Sequence, residues 1–101
     1  MTRVDVLTHA AEYFDSGQFL ADLRRRVAIP TESQDPSRAP ELRAYLADEM
    51  APALHLLGCT TRIVDNGAFP LLVGTRHEAD DLPTVLVYGH ADVATCRRSE
   101  A

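Results

Sequence analysis

Thr84-Val85-Leu86-Val87-Tyr88 is an uncharged, largely β-branched run that ends on Gly89. A chain carrying such a run must supply a sheet around it, because the backbone groups of an apolar strand need partners once its faces are buried. The composition therefore predicts a buried strand over residues 84–88. Gly89 frees the backbone to turn and brings His90 to the strand's carboxyl end, where open α/β sheets place their ligands. An imidazole there can give a nitrogen lone pair to a metal. Asp92, two residues on, is placed to accept the other ring N–H, which fixes the tautomer and raises the basicity of the ligating nitrogen. A lone His-x-Asp is weak evidence, since a histidine near a strand end is more often simply hydrogen-bonded. Strand, glycine, imidazole and carboxylate in that order make the string a candidate metal loop.

The chain ahead of this strand alternates helical periodicity with breakers. Thr2 is a cap for a first helix to about residue 15, with Val4, Leu7, Ala11 and Phe14 on one face. Asp15-Ser16-Gly17 ends it, and Asp15 or Ser16 can cap a second helix that turns Phe19, Leu20, Leu23 and Val27 inward and stops before Pro30. Residues 31–39 are polar, contain Pro36 and read as a loop. A third helix is predicted over residues 40–57, burying Leu42, Tyr45, Leu46, Met50, Leu54 and Leu57 and stopping at Gly58. Pro52 lies inside it, so a kink or break is expected near residue 51.

Two short strands follow, over residues 60–64 and 71–75. Asp65-Asn66-Gly67 is a hairpin signal, although Ala68-Phe69-Pro70 predicts a connection longer than a tight turn. His77-Glu78-Ala79-Asp80-Asp81 reads as a solvated turn rather than a metal cluster, because consecutive polar residues run into Leu82-Pro83. The expected fold class is α/β: three helices followed by about three strands, with the sheet incomplete.

Charge and cysteine content narrow the function classes. The net charge of −5 gives no electrostatic case for nucleic acid or an anionic membrane. Arg24-Arg25-Arg26, the one basic run, suits the carboxyl end of a helix as a solvated face. No apolar run approaches a membrane span and the first residues lack a signal peptide's core, so a cytoplasmic location is expected. Cys59 and Cys96 lack metal or redox spacing; Cys59 reads as a small hydrophobe heading a strand. His55, alone on a helix, reads as an exposed residue.

Several of these segments together resemble the amino-terminal part of the M20 metallopeptidases and amidohydrolases. That group includes acetylornithine deacetylase, succinyl-diaminopimelate desuccinylase, carboxypeptidase G2-like enzymes and related dipeptidases. Leu23-Arg24-Arg25-Arg26-Val27-Ala28-Ile29-Pro30-Thr31-Glu32-Ser33 resembles the family's opening helix and its hydrophobic-Pro-Thr-x-Ser exit. Pro83-Thr84-Val85-Leu86-Val87-Tyr88-Gly89-His90-Ala91-Asp92-Val93 resembles its first metal-ligand segment. The resemblance spans about residues 12–93 and implies the amino-terminal part of a zinc-peptidase-like catalytic domain over residues 1–93.

By that resemblance His90 is a metal ligand in a two-zinc site and Asp92 is the acidic residue that orients it, counted with the catalytic groups. The implied activity is zinc-dependent hydrolysis of amide bonds in small peptides or N-acyl amino acids. The family's bridging Asp, Glu-Glu pair, further acidic ligand and final His have no counterpart, and no Glu-Glu dipeptide occurs in the chain. Residues 94–101, Ala94-Thr95-Cys96-Arg97-Arg98-Ser99-Glu100-Ala101, depart from the family's loop. A shifted reading frame or an early stop would produce that change. One imidazole falls short of the roughly three protein donors of a catalytic zinc, so these residues alone are expected to be silent. The alternative, from another class, is a non-catalytic interaction module that pairs through an exposed strand edge, including with itself.

Overall fold

The computed structural model describes residues 1–67 and 69–92. Along the chain lie α1 (Arg3–Asp15), α2 (Gln18–Val27), a 3-10 turn (Pro36–Arg38), α3 (Ala39–Ala44), a π-helical turn (Tyr45–Met50), α4 (Ala51–Leu56), β1 (Thr60–Asn66) and β2 (Phe69–Thr75). The architecture is thus three helical runs followed by a two-stranded antiparallel sheet, a small mixed α/β unit with an incomplete sheet. Among the described residues no helix is long and apolar enough to cross a membrane. The divergent residues 94–101, with Cys96, lie outside the described residues.

Helix α1 opens on a reciprocal cap. Thr2 Oγ1 accepts the Asp5 N–H at 3.2 Å, and Asp5 Oδ2 accepts the Thr2 N–H at 3.0 Å, which satisfies two donors that the first turn leaves free. The chain then reverses at Gly17, whose φ of 84° is left-handed. Gly17 itself occupies the cap position of α2, and no side chain caps it, contrary to the expectation for Asp15 or Ser16. Ser16 Oγ still accepts the Gln18 N–H, at 3.3 Å. Across this reversal the Tyr13 hydroxyl donates to Asp22, and the Tyr13 and Phe19 rings meet edge to face at 6.0 Å.

The predicted inward faces of these two helices are not covered. Phe19, Leu20, Leu23 and Val27 stay 39–58% exposed, and neither helix holds a buried residue. The reason is a shortage of partners: α1 packs chiefly on α2, while α2 reaches the next helical run through the Arg25–Glu49 ion pair. Arg25 also bridges Asp22 at 3.1 Å, so one member of the basic run serves the tertiary structure instead of solvent.

The third helical run absorbs Pro52 without breaking. Pro52 lacks an N–H and its ring crowds the preceding turn, and it sits in the first turn of α4, where a missing donor costs least. The turn before it widens, with the Ala51 N–H donating to Leu46 O five residues back. The apolar stripe needs that widening. Leu42 and Leu46, four apart, are buried together, and the next buried position is Ala51, five residues on, more than one α turn of about 3.6 residues. Tyr45, Met50 and Leu54 are half-buried, whereas Leu57, expected inside, is exposed beyond the end of α4.

Gly58 closes this run as expected. Its φ is 85°, its N–H donates to His55 O at 3.0 Å, and the Cys59 N–H donates to Leu54 O at 3.0 Å, the paired bonds of a Schellman ending. Half-buried Cys59 then leads into β1. Exposed His55 rests against Thr61 Oγ1 at 2.8 Å.

In the hairpin Thr60 pairs with Thr75 and Asn66 with Phe69. Both strands run further than the sequence reading allowed, so the connection is tight, with Gly67 at φ 64°. Pro70 stands within β2 opposite Asp65, which an outer strand tolerates because the missing N–H can face away from the ladder. One face of the hairpin meets the helices: β2 comes so close to α4 that a Cβ at Gly74 would lie 2.9 Å from Leu54 Cδ1, and Asp65 pairs with Arg43 of α3. The other face carries Phe69, Leu71 and Val73, which are 36–48% exposed.

The third strand does not join the sheet. Residues 84–88 carry no sheet pairing, and Val85, Leu86, Val87 and Tyr88 are 76–92% exposed where burial was expected. The turn ahead of them is polar as predicted, with His77 on Asp80 at 2.9 Å and Arg76 on Glu78 at 2.8 Å. An apolar composition prescribes burial only where other elements exist to cover it, and the described residues supply only two strands.

Candidate metal centre

The segment after residue 88 is placed by two contacts, one at each of its chemical groups. Tyr88 and His90 are two apart in sequence and their side chains meet. The Tyr88 hydroxyl lies 3.2 Å from His90 Nε2 and 3.5 Å from Nδ1, with the rings edge to face at 5.1 Å. His90 is exposed, so its nitrogens are open to solvent, and a metal at Nε2 would displace the phenol.

Asp92 turns elsewhere. Its Oδ1 accepts the Ser33 N–H at 3.0 Å. That backbone N–H, followed by the Ser33 hydroxyl, holds the Asp92 carboxyl below the usual carboxylate range, and nearby His90 acts in the same direction. Asp92 is therefore a carboxylate at neutral pH, but its hydrogen bond is to the loop after α2 and not to the His90 ring. The group that meets the His90 ring in this geometry is the Tyr88 hydroxyl. Sequence reasoning passed over Tyr88 as strand filling, although its i, i+2 spacing from the histidine was the available signal.

The loop that meets Asp92 is the Pro30-Thr31-Glu32-Ser33 exit. Thr31 is 2% exposed, and its N–H donates to Ile29 O at 2.8 Å in a tight turn after Pro30. Anchoring Thr31 inward leaves half-buried Ser33 at the surface with its N–H directed at Asp92. The two motif segments singled out in the sequence, 59 positions apart, thus touch.

As a zinc site the assembled groups are incomplete. Among the described residues no group of three or more His, Cys, Asp or Glu side chains is positioned to hold one metal ion. His90 offers one donor and Asp92 is engaged by Ser33, so the described residues do not by themselves fit a zinc centre. A nearby groove of about 410 Å³ is lined by Arg76, His77, Glu78, Asp80 and Pro83 among others; neither His90 nor Asp92 lines it. Comparison with protein-family models, curated proteins and solved structures finds no match to this chain.

Proposed function

We propose that this chain is the amino-terminal part of the catalytic domain of a zinc-dependent metallopeptidase or amidohydrolase of the M20 kind, with amide bonds of small peptides or N-acyl amino acids as its substrates. The observation that supports this reading most is the Ser33–Asp92 contact, which puts the Pro-Thr-x-Ser exit beside the His-x-Asp segment. Two stretches that resemble one family's motifs are far apart in sequence and adjacent in space. His90 stands exposed next to them as the metal donor this part contributes.

In a complete centre zinc would acidify a water and polarise the scissile carbonyl. The described residues do not form that centre, and hydrolysis by these residues alone is not expected. The function of the part is to carry His90 on a segment tied to the loop after α2.

Zinc titration by calorimetry tests the reading. The chain should bind zinc weakly, His90→Ala should remove that binding, and neither form should hydrolyse an N-acyl amino acid. Zinc binding unchanged by His90→Ala would rule out His90 as the donor.

A further inference from the structure

Two features of the described residues are complementary. Residues 84–88 have no sheet partner and lie outside any helix, exposing Val85 by 80%, Leu86 by 92% and Val87 by 85%. The β1–β2 hairpin has an unpaired outer edge on each strand and an open face bearing Phe69, Leu71 and Val73. A free strand lacks a ladder partner, and a free edge is a template for one. Each copy of the chain therefore holds both halves of a strand addition.

Surface area argues for a second copy as the occupant. A folded monomer of 11.1 kDa exposes about 5,700 Å², whereas this chain exposes 8598 Å². The excess, roughly 2,900 Å² with the residues outside the described ones counted in, is well above the roughly 800 Å² that each partner buries in a standard stable interface. Only three apolar side chains, Leu42, Leu46 and Ala51, are buried among the described residues. The segment is also held ready for pairing: its near end leaves the polar turn after β2 and its far end is tied to Ser33 through Asp92, which lowers the ordering cost of binding.

We infer that two copies of this chain exchange residues 84–88, each laying the segment as a strand along an outer edge of the other's β1–β2 hairpin. The exchange is reciprocal, so it closes as a two-fold dimer and leaves neither segment free to recruit a third copy. The inference uses neither His90 nor a metal, so loss of zinc binding in His90→Ala and loss of the dimer in Val87→Pro report on the two readings separately.

Sedimentation velocity on the full chain over a range of concentrations, with hydrogen exchange on the same samples, tests it. A dimer is expected, with amides of residues 85–87 becoming protected as it forms. Val87→Pro removes a ladder donor and should weaken the dimer about a hundredfold or more. Leu86→Glu should weaken it too. Because residues 84–88 have no sheet partner within one copy, both variants should keep the helical circular dichroism of the parent. A monomer at every concentration overturns the inference, as does open-ended assembly, protection of residues 85–87 in a monomer, or a dimer that both variants leave unchanged.

Discussion

Ser33 donates its backbone N–H to Asp92 Oδ1 at 3.0 Å, joining the loop after α2 to the last described residue across 59 positions. The contact lowers the Asp92 pKa, chiefly through that N–H. It is therefore fully present above the ordinary aspartate value of about 3.9 and is lost as pH falls through a lower folded-state value. The Ser33 amide proton shift, followed by NMR, should titrate with a midpoint below about 3.9. Asp92→Asn should abolish that titration, and a midpoint at or above the ordinary value would show the contact absent in solution.

The Tyr13–Asp22 pair makes the α1–α2 reversal sensitive at both ends of the pH scale. Donation to Asp22 raises the Tyr13 pKa, so that contribution is whole below the ordinary tyrosine value of about 10 and is lost as pH rises through a higher one. The same bond lowers the Asp22 pKa, and its contribution is lost only as pH falls below the usual carboxylate range. Ultraviolet difference titration should show Tyr13 ionising above the ordinary tyrosine value, in a phase that Tyr13→Phe removes. Tyr13→Phe should let the Asp22 carboxyl rise.

Core truncations should separate sharply by burial. Leu42→Ala and Leu46→Ala remove side chains that are 8% exposed and should each cost about 2–4 kcal/mol in urea denaturation. Leu56→Ala, at a position 89% exposed, should stay within about 0.5 kcal/mol of the parent. Equal effects at Leu46 and Leu56 would place the core elsewhere.

Gly58→Ala should destabilise by about 1–2 kcal/mol through backbone strain alone. At φ 85° an added Cβ meets only the Arg76 side chain, at 3.6 Å, so no clash contributes. Gly89→Ala, with nothing within 4 Å and no left-handed φ, is the matched control and should be near neutral. Thermal melts of the two variants give the comparison.

Local signals in the sequence carried over to the structure where the chain decides alone. Thr2 and Asp5 cap α1, and Gly58 ends the third run, because those outcomes involve only a few consecutive residues. The failures share the opposite cause. Val85 to Tyr88 read as buried, and Phe19 to Val27 as inward-facing, from apolarity that says a surface wants cover without saying what provides it. In the candidate site, His90 and Asp92 were visible from spacing, but the partner of each was not. Tyr88 was read as part of a strand, and Ser33 is 59 positions away from Asp92, beyond any periodicity.

The widened turn at Tyr45–Met50 accommodates one residue more than an α-helix would in the same arc. Winding the same residues as a regular α-helix would carry Ala51 about 100° further around the cylinder from the Leu42–Leu46 stripe, whereas deleting one residue from the widened turn would restore a regular helix with the stripe still in line. The irregular coil acts as a phase correction that keeps the two halves of the stripe aimed at the same sheet.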